Sequence, residues 1–418
     1  MEFVVPALDE YVDLSRSYFT MKLTLRKSDG THIVNDTNLW PVPNLAHSMI
    51  KQVTVNLNGV LISHQTDTYP YKAYLETLLN YDKQEAETIL KPQGWYQAID
   101  FPARWTAENI DTTSNSGAGH LAYQNLTANH KSALSLAKAE KGNYLGGREH
   151  TMIFQPHHEA FQIGKVLVPN VEIKIRFFFN SADFFMDGVT DRGRLQQDDL
   201  KITFHLCQLR LSDSIYKELS TTRHNKRQLA TYPVVRSEIR VFSHPANVLE
   251  FDEGNLFQGR IPDRLIVGLL HNNAFNGTVD YHPFAFQKFG VKSIRQLVRG
   301  EEYPYETLEL NPLNDSKDLA GYFRFLQASG AWGKKQPSMV SPREWGTGKN
   351  CTLFMFDNVA NGYADSPHLN PKQEGETRVI IQFGVPNDHV INVLMYAEFE
   401  NTLEVDPNGA VLYDVYRR

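Results

Sequence analysis

Three stretches of the sequence carry residue types that do chemistry in other proteins. His157-His158-Glu159, in "FQPHHEAFQIG", sets two imidazoles beside a carboxylate. A zincin helix arranges such ligands as His-Glu-x-x-His, so that the second histidine returns to the same face one turn on. Here position 162 is Gln, and Pro156 and Gly164 disfavour a helix, so a loop or strand is expected. "AWGKK" at 331–335 and "GTGKN" at 346–350 resemble a phosphate-cradling loop, but they lack its first glycine and the Ser or Thr after Lys. Turns between strands are expected at both. Asp183, Asp187 and Asp191 fall at spacing four in "SADFFMDGVTDRG". An EF-hand loop needs oxygen ligands at alternate positions and a closing Glu, so this stretch reads instead as a solvated loop.

The remaining candidates are weaker. No G-x-S-x-G elbow is present, and no Cys/His arrangement stands out. Carboxylates are plentiful, but no spacing marks an acid/base pair; a pair assembled in space would escape a sequence reading. His271 and His282, in "HNNAFNGTVDYHPF", read as hydrogen-bonding loop residues rather than ligands. The basic run Arg223, His224, Lys226 and Arg227 lacks interleaved aromatics, which favours a solvated linker over a nucleic-acid grip. Cys207 and Cys351 sit in strand-like runs and read as two buried thiols, a weak pointer to a reducing compartment. The expectation is therefore no catalytic, cofactor-binding or metal-ligating residue, and a structural protein rather than an enzyme.

The elements behind these residues are mostly strands. The chain has 418 residues, enough for two or three domains, and 41% of them are hydrophobic. Its 24 Phe and 19 Tyr favour strands, and 26 Gly with 20 Pro supply turns. The net charge of −6 argues against a chain that grips DNA or anionic lipid along its length. "MEFVVPALDEYVDL" has no basic, then apolar, signal-peptide pattern, and no run is apolar enough to span a membrane. Strict alternation marks "YFTMKLTL", "VEIKIRFFFN" and "VINVLMYAEFE" as antiparallel strands covered on one face. "RLIVGLL" is continuously apolar and reads as a strand buried on both faces, followed by a loop with a turn at Asn276-Gly277; the phenylalanines beyond it read as plugging a barrel end or a subunit contact. Helices are expected over "YKAYLETLLNYDKQEAETIL", with Tyr71, Tyr74, Leu75, Leu78 and Leu79 inward and Lys72, Glu76 and Asn80 outward, and over "SDSIYKELS".

The sequence also repeats. "IKQVTVNLNG" at 50–59 aligns without gaps to "VKSIRQLVRG" at 291–300, and each is followed by Tyr-Pro-Tyr, at 69–71 and 303–305. "VEIKIRFFF" with "LKITFHLCQLRLSD" corresponds to "TRVIIQFG" with "VINVLMYAEFENTLEVD". Residues 91–150, rich in small polar residues, read as a long irregular insertion in the first half. These features predict an all-β chain: two tandem eight-stranded antiparallel jelly-roll barrels, a double jelly roll with a few short helices in loops. The expected division is 1–218, a linker at 219–233 and 234–418.

Four segments together carry a family likeness. "EYVDLSRSYFTMKLTL", "VNLNGVLISHQTDTYPYKAYLETLLNY", "GRIPDRLIVGLLHNNAFNGTVDYHPFAFQKFGVKSIRQLVRG" and "RVIIQFGVPNDHVINVLMYAEFENTLEVD" resemble, in matching order, the major capsid proteins of Maverick/Polinton elements and adintoviruses. Relative to those proteins, the sequence starts close to its first strand, and the 91–150 insertion matches no pattern of theirs. The resemblance implies a homotrimeric, pseudo-hexameric capsomer in an icosahedral shell. Its partners would be neighbouring capsomers and penton and minor capsid proteins, and it would enclose double-stranded DNA without strong sequence-specific binding. The implied location is the virion, assembled inside the host cell. A domesticated cellular copy would have the same fold. The rival from another class is a secreted double jelly-roll protein that binds or cleaves glycans.

Overall fold

The computed structural model describes the chain apart from residues 36, 63–66, 97–101, 107–127, 190, 226, 305, 313–317, 333–337, 347–349, 360–361, 363, 365–372 and 414–418. The alternating segments form strands where the pattern places them. β1 (Glu2–Val5), β2 (Tyr11–Leu23), β3 (Ile50–Leu57), β4 (Val60–Leu61), β5 (His150–Phe154), β6 (Ile173–Phe179) and β7 (Leu200–Leu209) build the first half. They stand in two sheets, β1-β6-β3-β4 and β7-β2-β5. The second half is built from β8 (Ala230–His244), β9 (Glu250–Glu253), β10 (Arg264–His271), β11 (Val291–Val298), β12 (Glu301–Glu302), β13 (Leu353–Asp357), β14 (Thr377–Phe383) and β15 (Ile391–Val405). Its sheets run β8-β15-β10-β13 and β9-β14-β11-β12, with Val411–Tyr413 added to β15 and Leu308–Glu309 to β11. Sheet neighbours that come from distant parts of the chain are the mark of jelly-roll winding.

Seven strands of the first half have counterparts in the second. β1-β6-β3-β4 repeats as β9-β14-β11-β12, and β7-β2-β5 as β15-β10-β13. The aligned decapeptides are β3 and β11, each with the turn that follows. Both turns take positive φ at two successive residues, Asn58 and Gly59 in one (φ 45° and 81°) and Arg299 and Gly300 in the other (φ 56° and 83°). That geometry matches the twist of a two-residue hairpin and favours Asn and Gly. The Tyr-Pro-Tyr echo does not extend to structure. Tyr69-Pro70-Tyr71 opens a helix, where Pro fits because the first-turn N–H groups need no partner, whereas Tyr303-Pro304 is a cis peptide after β12 and Tyr305 lies outside the described residues. β8 has no counterpart among the described residues of the first half.

The helices differ from expectation in extent. α1 (Tyr69–Asn80) ends before Asp82, whose carboxylate caps a separate turn, Lys83–Ala86, so the single long helix is broken. The 91–150 insertion is not irregular throughout. It holds α2 (Ala128–Lys141), and Tyr96, Trp105, Leu134 and Ala137 pack with Trp40 into a small core of their own. α3 (Asp213–Asn225) fills the expected "SDSIYKELS" site and runs longer; residues 219–233 thus hold its end and the start of β8. α4 (Leu319–Ala328) was not foreseen. Among the described residues, no helix is long and apolar enough to cross a membrane.

The main core runs through both halves. In the first, Phe19 lies at ring-centroid distances of 4.5 Å from Phe204, 4.9 Å from Phe177 and 5.7 Å from Phe154. In the second, β10 is buried on both faces from Arg264 to Leu270, as its unbroken apolar run predicts. Gly268 is required there: a Cβ would sit 2.5 Å from the Phe286 ring.

Candidate functional site: the buried junction between the two halves

Where chemistry-bearing side chains gather, they gather between the halves. α1 presents two faces, and both are covered. Tyr71, Tyr74, Leu75 and Leu78 are buried as the helical spacing predicts. Tyr74 stacks on Phe284 (4.3 Å between ring centroids, planes 4° apart) and Tyr71 on Phe275 (5.4 Å). The phenylalanines of the "HNNAFNGTVDYHPFAF" stretch therefore seal the first half's helix within the same chain, rather than a barrel end or a subunit contact. The second face corrects the reading of Lys72 and Glu76 as outward residues, since Glu76 is only 5% exposed.

Glu76 is buried because the second half supplies its partners. Its Oε1 accepts from the Tyr396 hydroxyl (3.0 Å) and lies 3.8 Å from Lys72 Nζ. Its Oε2 accepts from Gln162 Nε2 (3.1 Å) and lies 2.8 Å from His157 Nδ1. The Tyr396 hydroxyl also reaches Glu398 Oε1 (2.9 Å), and Arg264 clamps both oxygens of Glu398, Nη2 at 2.7 Å and Nε at 2.8 Å. β10 and β15 pair Arg264 with Glu398 and Ile266 with Tyr396, and the period of two puts these residues on one sheet face, towards α1. On the other side, Lys72 donates to Glu159 Oε1 (3.0 Å), which also accepts from the Ser237 backbone N–H on β8 (3.2 Å). The result is a continuous buried chain, Arg264–Glu398–Tyr396–Glu76–Lys72–Glu159–Ser237.

The histidine pair separates within this network. His157 faces Glu76 and His47, while His158 turns back and its Nδ1 accepts from Ala160 N–H (3.0 Å) to cap the turn Glu159–Phe161. Among the described residues, no group of three or more His, Cys, Asp or Glu side chains could hold a metal ion. Of the three aspartates, Asp187 is not in a solvated loop. It is wholly buried, 2.7 Å from His282 Nδ1, and accepts from Trp105 Nε1 at 3.3 Å. His282 is thus a hydrogen-bonding residue, and so is His271, which caps the turn Asn272–Asn276 through a bond from Asn273 N–H (3.0 Å). Cys351 is buried, with burial pushing its thiol well up, whereas Cys207 on β7 is only half-buried, short of the buried thiol expected there. Gly333–Lys335, Thr347–Lys349, Lys226 and the Arg223 and His224 side chains lie outside the described ones.

The electrostatics suit a lock better than a reaction centre. Burial alone would raise the Glu76 carboxyl, but the Lys72 ammonium and the His157 hydrogen bond outweigh it and hold Glu76 at about 2. Burial would lower Lys72, and the Glu159 and Glu76 carboxylates raise it instead. Glu76 thus stays an anion, with both oxygens held by the chain's own donors.

The histidines set the pH response. Burial depresses His158 to about 4, depresses His47 well below its usual value, and with the His389 charge depresses His271 to about 4. The unfolded imidazole titrates near ~6.5, so between that pH and about 4 the unfolded chain binds protons that the folded chain refuses. Stability from these groups is present above ~6.5 and lost as the pH falls towards 4; for His158 the loss is about 3 kcal/mol. Asp263, raised by burial to about 6, runs the other way and offsets part of this. Thermal melts between pH 7.5 and 4.5 should show the midpoint falling most steeply below ~6.5, and a flat profile would contradict the assignment.

Comparisons agree with this architecture. No protein-family profile matches the chain. The uncharacterized protein F54H12.2 of Caenorhabditis elegans is 22% identical over 329 residues, 77% of this chain and 70% of that protein. Among solved structures, the chain is similar to PBCV-1 VP54 as fitted into a cryo-EM reconstruction of the virophage Sputnik. The TM-score is 0.54 at 8% identity, over 100% of this chain and 95% of that one. It is also similar to the Sputnik virophage structure determined by cryo-EM (TM-score 0.52, 10% identity, 100% and 86% coverage). A quasi-atomic model of the PBCV-1 virus capsid matches at TM-score 0.51 and 9% identity, over 100% and 95% of the two chains. The fold is a double jelly roll of the kind found in viral major capsid proteins. That is the fold expected from the alternation and the internal repeat.

Proposed function

We propose that the chain is a major capsid protein of a double-stranded DNA virus or a virus-like transposable element, acting by assembly rather than turnover. The observation that carries this reading is two jelly rolls in one chain that share seven equivalent strands, held together by the buried junction and alignable along the chain's full length with the capsid folds above. Three such chains give six similar barrels, so a threefold capsomer presents near-hexagonal sides to its neighbours. The boundaries 1–218 and 234–418, with 219–233 between, divide the two barrels in this proposal. Exposed apolar side chains supply surface for contacts between copies: Ile215 and Leu219 on α3, and the Phe323–Trp332 pair beside α4. The net charge of −6 suits a wall that encloses DNA without condensing it. Size-exclusion chromatography with light scattering should return three chain masses, and negative-stain images should show hexagonal outlines. A monomer independent of concentration would overturn the proposal.

A further inference from the structure

One end of the second barrel carries a column of rings outside the junction network. β10 ends at His271, whose ring stacks with both Tyr281 (4.5 Å between centroids, planes 27° apart) and His389 (4.4 Å, 25°). The Arg104 guanidinium lies 5.2 Å from the Tyr281 ring centre, and its Nε donates to Asp280 (2.9 Å). Phe289 meets His389 edge-on at 5.5 Å. The column ties together the insertion at Arg104, the end of β10 with the loop that follows, and the loop 384–390 between β14 and β15. Within it His271 has a second task. Its Nδ1 accepts the Asn273 N–H at 3.0 Å and caps the turn Asn272–Asn276. The Asn272 N–H donates to the Val390 carbonyl (3.2 Å), so the capped turn also holds the 384–390 loop.

We propose that His271 is an acid-opened latch, whose protonation releases the turn Asn272–Asn276 and the 384–390 loop from the end of the second barrel. The cap uses the Nδ1 lone pair, and a protonated imidazole has none, because both ring nitrogens then donate. The Asn273 N–H would face another donor and lose its partner. The new charge would also sit against the His389 ring and near Arg104, with Asp388 and Asp280 as the opposing carboxylates. His389 is fixed in place, its Nδ1 2.6 Å from Asp388 Oδ1, so it cannot withdraw from a charged His271 without giving up that bond. Burial first, then His389 and Arg104, outweigh the two carboxylates and hold the folded His271 at about 4. An imidazole in water titrates near ~6.5, so the latch is closed above that pH and loosens as the pH falls towards 4. The latch does not rest on the capsid reading and would exist in an isolated chain.

Hydrogen–deuterium exchange of the full chain at pH 7.5 and pH 5, corrected for intrinsic exchange rates, tests this. Opening of residues 272–281 and 384–390 is expected to rise about tenfold at the lower pH, a value that allows for the half-exposed position of His271. His271→Asn keeps a side-chain acceptor at the cap and removes the titration, so exchange in those segments should no longer depend on pH. His271→Gln serves as a second variant with the same expectation. Residues 158–161, whose own histidine cap lies in the junction, should respond to pH alike in the parent and the variants. Protection of 272–281 in the parent that stays flat over this range would overturn the proposal, whatever the variants do. So would an equal pH response in the variants, or a loss of protection spread evenly over all strands, which is global unfolding.

Discussion

Replacing Arg264 with leucine is expected to destabilise the protein by about 3–5 kcal/mol, because it leaves the Glu398 carboxylate buried without its cation. Both Glu398 oxygens rest on the guanidinium, at 2.7 and 2.8 Å, and the two side chains are only 6% and 10% exposed. The loss should spread, since Glu398 shares the Tyr396 hydroxyl with Glu76, and Glu76 holds His157 and Lys72. For domains near this size, such a change lowers the thermal midpoint by roughly 10 °C. The double variant Arg264→Leu/Glu398→Leu should recover part of the loss, because a buried pair replaced by apolar residues of similar volume is often near neutral. Thermal or urea unfolding measures both. A single variant within ~0.5 kcal/mol of the parent would show that the network does not hold the halves together.

The second large effect is expected at Phe284. Its ring is fully buried, stacked on Tyr74 and close to Tyr71 (5.7 Å), His282 (6.1 Å) and Phe184 (6.2 Å). Phe284→Ala removes the ring from a site walled by three segments of the chain, and a cavity there should cost about 3–5 kcal/mol. Phe284→Leu keeps most of the volume and should cost less than half as much. Because the ring joins α1 to the second half, unfolding of Phe284→Ala should also broaden or split into two transitions as the halves lose their coupling. Equal costs for the two substitutions would mean that ring stacking, not volume, dominates.

Much of this fold is legible in the residues alone. Alternation in "VEIKIRFFFN" and "VINVLMYAEFE" identifies β6 and β15, and the continuous "RLIVGLL" identifies a strand buried on both faces. The alignment of 50–59 with 291–300 pairs β3 with β11, and both turns share the same backbone geometry. The misplaced features have a common cause. Glu76 and Lys72 lie on the polar side of α1, and helical spacing assigns such residues to water. Asp187 sits among Asn, Gly and Asp, where composition predicts a loop. The insertion's Trp105 and Leu134 find Trp40 from far along the chain, and no local pattern announces that contact.

The sequence by itself determined most of the strands and their duplication. These follow from periodicity and spacing, which local backbone geometry imposes on neighbouring residues. The tertiary structure alone decided which polar residues are buried. Glu76 and Tyr396 are 320 residues apart, and a carboxylate can leave water only where such distant donors replace it.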